Sequence, residues 1–448
     1  MKQLLLTITF LSFSFPVQAA ILNIKEVKSK GGITAWLVED HSIPVISMKY
    51  SFNGAGAVND PQDLQGLSRL LSNTLDEGAG DYTSQQFQGL LDNKSISLSF
   101  SASRDDFGGN LKTLTKNRDE AFSLLQLALT KPRFDQEAVN RMIAANVTRI
   151  RSDMTEPDWV AARLLNSVIY DGHPYAMNSG GTLSSLPQIT PAHLKEKLAK
   201  DLTRDRLIVS VAGDISEADL SILLDKTFGQ LPAKAAAVKI SDVKFAGQPT
   251  TTLLKLPIPQ TIIMATLPGI RIGDPDYFAA DIMNFILGSS GFGSRLTEII
   301  REKNGLTYGI YTGMDMMDYA AIFTLSTSTE NKNVAQLMDL SRKEFERIKA
   351  EKVTIEEIRD AQSYLIGSTP LNLTSTDQIA GTMLTFQRYN LPKNYLDIRE
   401  AGLNKVTPED VERAANRLLD LSKLSVIMVG DPANITPTKT VTDLPNVK

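Results

Sequence analysis

Three dipeptide signals recur in this chain at a nearly constant distance. Thr190-Pro191 opens one predicted helix and Thr407-Pro408 another, with Thr at the N-cap and Pro at the first helical position; the two prolines stand 217 residues apart. A strand follows each helix and ends on Gly213-Asp214 in one case and Gly430-Asp431 in the other, the glycine 22 residues after the proline both times. Upstream, Asp60-Pro61 and Asp274-Pro275 each precede a long predicted helix, and these prolines lie 214 residues apart. Agreement at both ends points to a duplicated block of about 215 residues, far longer than a solenoid repeat. A chain of 448 residues holds two such copies and short connections.

Within the first copy, residues 33–38 and 45–52 are rich in β-branched and aromatic side chains and follow a Gly31-Gly32 turn, which predicts two strands. Leu64, Leu67, Leu70, Leu71 and Leu75 recur at helical spacing and predict a helix over residues 64–76. Alternation of Ile96, Leu98, Phe100 and Ala102 predicts a half-buried strand. Helices are expected over 118–130, 136–154 and 158–170, and a buried strand over 207–212. Strands and helices interleave, so the expected class is α+β, with two homologous halves. The first half is placed at residues 20–235 and the second at 251–435. A linker at 236–250 lies within a stretch rich in Ala, Lys and Pro, and a tail follows at 436–448.

The first residues read as an export signal. Met1-Lys2 gives a positive start, residues 4–15 are almost entirely apolar, and Pro16-Val17-Gln18-Ala19 ends the run with small residues, so cleavage is expected after Ala19. The run falls short of the roughly 20 residues of a spanning helix. With no cysteine in the chain and no later apolar span, the expected location is the periplasm. Net charge is −4 with both signs mixed, and no basic block points to nucleic acid.

Gly66-Leu67-Ser68 opens the first long helix and Leu75-Asp76-Glu77-Gly78 closes it. His173-Pro174-Tyr175 and Gly181-Thr182 follow, beside the two Gly-Asp strand ends. The most specific stretch runs from Ser294-Arg295-Leu296 through Glu298-Ile299-Ile300-Arg301-Glu302-Lys303 to Gly305-Leu306-Thr307-Tyr308. In these motifs and in the order of elements the chain resembles the pitrilysin/insulinase metallopeptidases, whose nearer relatives include the mitochondrial processing peptidase subunits.

Catalytic members carry H-x-x-E-H on the first-half helix: two His on one helical face bind zinc and the Glu activates water. Aligned on Gly66-Leu67, that motif reads Arg69-Leu70-Leu71-Ser72-Asn73 here. Arg69 replaces a ligand with a cation, Ser72 replaces the base, and Asn73 replaces the second His. The later helix, where such relatives keep a third ligand Glu, carries Asn140, Arg141, Asn146, Thr148, Arg149 and Arg151 between Glu137 and Asp153, with no carboxylate. The chain has only three histidines, His41, His173 and His193, none four residues from another. No cofactor is therefore expected in this chain.

The resemblance also implies what the second half supplies: an Arg and a Tyr seven residues apart, which fall here on Arg301 and Tyr308. A helix over 296–303, a break at Asn304-Gly305 and a strand over 306–311 would set the two side by side. A guanidinium binds peptide carbonyls and a phenol donates to an oxyanion. Ahead of them, Gly288, Gly291 and Gly293 form a glycine-rich loop similar to the substrate-sensing loop of the zinc-less processing-peptidase subunit; substrate contact and plain chain turning are equal readings of it. The implied assembly is one side of a clamshell, closed on an extended peptide by a homologous zinc-bearing subunit with an H-x-x-E-H motif. The rival readings are an inert scaffold and a standalone peptide-binding protein.

Overall fold

The computed structural model describes residues 22–236, 238–245, 247–445 and 447–448. The expected signal peptide and its cleavage point lie outside the described residues. The first half runs β1 (Lys25–Lys28), β2 (Thr34–Glu39), β3 (Val45–Phe52), α1 (Leu67–Ser72), β4 (Gly78–Ala79), β5 (Tyr82–Thr83), α2 (Ser84–Asn93), β6 (Ser97–Ala102) and β7 (Phe107–Leu114). It continues with α3 (Arg118–Thr130), α4 (Gln136–Asp153), α5 (Pro157–Ile169), α6 (Pro191–Asp201), β8 (Leu207–Gly213) and α7 (Glu217–Phe228). The second half contains β9 (Thr250–Lys255), β10 (Gln260–Pro268), α8 (Tyr277–Asn284), β11 (Ile310–Met317), β12 (Ala320–Glu330) and α9 (Val334–Ala350). It ends with α10 (Ile355–Gly367), α11 (Thr376–Arg388), α12 (Tyr395–Asn404), α13 (Pro408–Leu418), β13 (Ser425–Gly430) and β14 (Lys439–Val441).

The duplication is visible in the strand order. One six-stranded sheet runs β1-β2-β8-β3-β7-β6 and the other β14-β9-β13-β10-β12-β11. In each, the strand that closes on Gly-Asp lies inside the sheet. It is parallel to one neighbour (β8 to β2, β13 to β9) and antiparallel to the other (β8 to β3, β13 to β10). The copies differ at one edge: β1 is antiparallel to β2, whereas β14 is parallel to β9. Residues expected to form a tail thus supply an edge strand, and Leu183 N–H also donates to Val447 O at 3.0 Å, tying the chain end to the first half. Without β14, β9 would present an open row of backbone donors and acceptors.

Each sheet buries one face under its own helices and the other under a helix of the opposite half. On β3, Ile46, Met48, Tyr50 and Phe52 are fully buried in the first core, as period-two alternation requires. Ser47 and Lys49 point the other way and meet α11: Ser47 Oγ lies 2.8 Å from Thr376 Oγ1, and Lys49 Nζ lies 3.1 Å from Asp377. Gln387 Nε2 on α11 donates to Val209 O at 2.9 Å and Ser210 Oγ at 2.7 Å. Reciprocally, Val160, Ala161 and Leu164 of α5 pack on Ile427 and Val429 of β13. Helices α5 and α11 are therefore exchanged between the halves, and each sheet's outer face depends on the other copy.

A charged knot closes the same junction. Arg388, at the end of α11, lies 2.6 Å from Asp106 and 3.6 Å from Asp105, both just before β7. Asp105 also accepts from the Tyr175 hydroxyl and, at 3.2 Å, from Asp318 N–H.

Two expected elements are shorter than their spacing predicts. The helix expected over 64–76 shortens to α1, Leu67–Ser72. Gly66 enters it at φ 89°, where a Cβ would stand 2.6 Å from Gly181 Cα. At the far end, Ser72 Oγ donates to Arg69 O at 2.8 Å and Thr74 Oγ1 to Leu70 O at 2.9 Å, hydroxyls competing for the helix's own carbonyls. The strand expected over 306–311 begins only at Ile310. Side chains pin the preceding residues instead: Thr307 Oγ1 donates to Ser328 O at 2.7 Å and Thr327 Oγ1 to Gly309 O at 2.8 Å.

Candidate functional site

The position of the expected metal motif is built by α1 against α4. Asp60 sets the helix start, accepting from Ser68 N–H at 3.1 Å and from Ser68 Oγ at 2.6 Å while ion-paired with buried Lys197 at 3.1 Å. This fixes which residues of α1 face α4. Asn73 Oδ1 accepts from Asn146 Nδ2 at 3.1 Å, and the same Asn146 amide donates to Met142 O at 2.8 Å. Ser72 is buried with its hydroxyl committed to Arg69 O. Half-buried Arg69 has a buried Nε with no hydrogen-bond partner. Burial, then the nearby Arg149 cation, lower its pKa from the ordinary arginine value.

This set does not fit a zinc ion. Two amides engaged with each other, one committed hydroxyl and a guanidinium offer no anionic or imidazole ligand. No group of three or more His, Cys, Asp or Glu able to hold a metal occurs among the described residues. The histidines are occupied elsewhere. His173 Nδ1 accepts from Tyr175 N–H at 3.1 Å and its Nε2 lies 3.0 Å from Ser241 O. Imidazole and hydroxyl complete a capping box at His193 and Thr190, and His41 bridges Asp214 at 2.6 Å and Glu39 at 3.0 Å.

Asn146 is the site residue that sequence reasoning did not single out. The available signal was its register: Val139, Met142, Asn146 and Ile150 form one stripe at i, i+3, i+4 spacing, so an amide sits on the buried face of α4.

In the second half, the helical turns on both sides of the glycine-rich loop are π-helical, Phe285–Ser289 and Thr297–Lys303. Such wide turns are rare and frequent at functional sites. The second is anchored from outside by Arg295, which makes two parallel bonds to Glu357 at 2.8 and 2.9 Å. It ends where Gly305, at φ 62°, turns the chain and Leu306 N–H donates to Ile300 O at 3.0 Å.

Arg301 lies on this turn with its guanidinium carbon 4.4 Å from the centroid of the Phe292 ring. Tyr308 follows in the pinned loop and is 86% exposed; Tyr311, three residues on, is 54% exposed, and Phe292 in the glycine-rich loop 68%. No hydrogen bond joins Arg301 to Tyr308 among the described contacts. This cation–π contact holds the guanidinium against the exposed Phe292 ring. Of the loop glycines, Gly288 is buried, and a Cβ there would stand 2.4 Å from Thr312 Oγ1. Gly291 takes φ 68°, and nothing lies within 3.4 Å of a Cβ built at Gly293.

A duplicated α+β chain with its metal motif replaced by Arg, Ser and Asn defines the class: a two-domain peptidase fold without the metal. Residues 52–182 match the family model described as "Insulinase (Peptidase family M16)", and residues 188–365 match "Peptidase M16 inactive domain". The "Non-peptidase homolog YmxG" of Helicobacter pylori is 26% identical over 437 residues, covering 96% of this chain and 99% of the relative. The "Mitochondrial-processing peptidase subunit beta" of Saccharomyces cerevisiae is 22% identical over 406 residues, 86% of each chain. Among solved structures, a "peptidase M16 inactive domain" from Pseudomonas fluorescens superposes with a TM-score of 0.86 at 27% identity, covering 93% of this chain and all of that one. The chain belongs to the insulinase family, peptidase M16, as a member without the zinc-binding residues.

Proposed function

We propose that this chain is the zinc-less subunit of an exported endopeptidase, contributing Arg301, Tyr308 and a wall of the cleft to a homologous zinc-bearing partner with an H-x-x-E-H motif. The observation that carries the reading is the display of Tyr308, 86% exposed, next in the motif to an Arg301 pre-oriented on Phe292. The phenol has no hydrogen-bond partner among the described residues and is open to solvent, which supports a role toward a group outside the chain. In the assembled cleft, Arg301 would hold carbonyls of an extended peptide and Tyr308 would donate to the developing oxyanion. The first 19 residues support export to the periplasm.

A second reading, an inert scaffold, draws on the same contact: Arg301 on Phe292 is a cation–π pair that stands without substrate. Mixing the purified chain with an exported H-x-x-E-H homologue of the same organism decides between them. The peptidase reading expects a complex on gel filtration and peptide hydrolysis well above that of the homologue alone. A stable complex with no gain in hydrolysis would leave the scaffold reading standing.

A further inference from the structure

The vacated metal position adjoins a cavity of about 250 Å³ whose lining includes four arginines, Arg69, Arg104, Arg149 and Arg163, and neither Asp nor Glu. Charge compensation inside the protein is incomplete. Arg149 has Asp153 at 3.4 Å, and Asp315 lies in the field of Arg104. Among the described residues no carboxylate is ion-paired with Arg69 or Arg163: the charges acting on them are Arg149 and Arg104, respectively. Arg163 is 5% exposed; it donates to Ala176 O at 3.1 Å, and its Nε is buried without a partner. The Nε atoms of Arg69 and Arg104 are buried and unpaired as well. Burial and the neighbouring Arg104 push the Arg163 guanidinium down to about 10. Unpaired buried donors of charged groups are costly, and four guanidiniums around one cavity add mutual repulsion. An anion relieves both terms at once, since guanidinium N–H groups match the oxygens of carboxylate and phosphate.

We infer that this cavity is an oxyanion-binding site, built of Arg69, Arg104, Arg149 and Arg163 beside the degenerate motif. Position 69, a metal ligand in the motif of zinc-bearing relatives, thus contributes an arginine to an anion site. The ligand chemistry is that of a small oxyanion, from a carboxylate or a phosphate. Arg149, the exposed member of the four, is accessible from solvent. The inference concerns this chain alone and does not depend on a zinc-bearing partner.

The test is calorimetric titration and thermal unfolding of the purified chain in chloride-free buffer, with inorganic phosphate in one arm and succinate in the other. Saturable binding in either arm, with a rise in Tm, is expected, and the arm with the tighter binding identifies the oxyanion source. Arg69→Gln and Arg149→Gln should each weaken that binding about tenfold or more, the effect of one lost charge-assisted bond. Without ligand, Arg69→Gln should unfold at the same temperature as the parent chain or higher, because it removes a repelled charge. This separates a lost site from a damaged fold. No saturable binding of either anion, or binding that both variants leave unchanged, would overturn the inference.

Discussion

Asn146 Nδ2 donates to Asn73 Oδ1 at 3.1 Å across the interface of α1 and α4. That single bond occupies two positions facing each other at the degenerate motif, and it converts a ligand set into a packing contact. The pair is worth about 1 kcal/mol by the usual net value of a buried hydrogen bond. A double-mutant cycle with Asn73→Ala and Asn146→Ala in urea should return a coupling of about that size. The same chain, purified without chelator, should carry no stoichiometric zinc by elemental analysis. One tightly held zinc per chain would contradict the geometry of both residues.

Tyr308→Phe tests the second-half pair. It removes one hydroxyl from an exposed ring, so folding and any assembly with a zinc-bearing partner should be unaffected. Loss of one oxyanion donor costs about 2.7–4 kcal/mol of transition-state stabilisation, about a hundredfold or more in kcat. Arg301→Ala should raise KM as well, since contacts to substrate carbonyls act before the transition state. Steady-state kinetics of the reconstituted pair supply the readout; parental turnover from a well-assembled Tyr308→Phe complex would leave Arg301 and Tyr308 as surface residues.

How much of this was legible beforehand depended on the range of the interactions. Strand β3 and helix α3 coincide with the expected spans because their signals, β-branched alternation and leucine spacing, are local. The repeat was legible because Thr-Pro caps and Gly-Asp strand ends are local as well. Strand β7 was missed: Gly108-Gly109-Asn110 reads as a loop, yet Gly108 is a glycine because a Cβ would meet Tyr50 O of the next strand at 2.4 Å. The π-helical turn at Thr297–Lys303 was expected as an ordinary helix, since i, i+5 bonding leaves no separate mark in the spacing. The exchange of α5 and α11 between halves rests on contacts more than 170 residues apart, such as Gln387 to Ser210, and no local pattern encodes it. Arg69, Ser72 and Asn73 were identified by alignment to a motif; the helical register put Asn146 on the buried face of α4, but only the structure shows its bond to Asn73.

Asp106 gives the junction a pH dependence. Burial raises its pKa to about 6 against the opposing pull of Arg388, while in the unfolded chain it titrates near 3.8. Between those values the folded state holds a proton that the unfolded state has released, so this group's contribution falls as pH rises from about 4 to about 6. The magnitude is on the order of 3 kcal/mol at full ionisation. Asp106→Asn cannot ionise, and Arg388 keeps Asp105 at 3.6 Å and Asp318 at 4.0 Å. Urea unfolding at several pH values should show the variant gaining on the parent chain as pH rises through this window. A stability difference that does not change with pH would show that Asp106 is ionised in the folded chain well below pH 6.

The helix exchange predicts one cooperative unit. Leu164 of α5 is 1% exposed against Ile427 and Val429 of the opposite half. Leu164→Ala should cost about 2–5 kcal/mol, as large-to-small changes in cores do. Because the outer face of the second sheet is covered by this helix, the loss should lower a single unfolding transition rather than split it. Two resolved transitions in calorimetry would show that the halves fold independently.

Gly288 separates two roles for the glycine-rich loop, substrate contact and chain packing. It is buried in the π-helical turn, and a Cβ there would stand 2.4 Å from Thr312 Oγ1 and 2.8 Å from Thr312 Cγ2. Gly288→Ala should therefore destabilise the chain by about 1–3 kcal/mol, the range for overpacking a filled site. Thr312→Ala removes both obstructing atoms and a buried hydroxyl that has no hydrogen-bond partner. The double variant should recover most of the lost stability in chemical denaturation, a compensation that only direct contact produces. If Gly288→Ala instead left stability unchanged and lowered turnover of an assembled complex, the glycine would be a substrate contact.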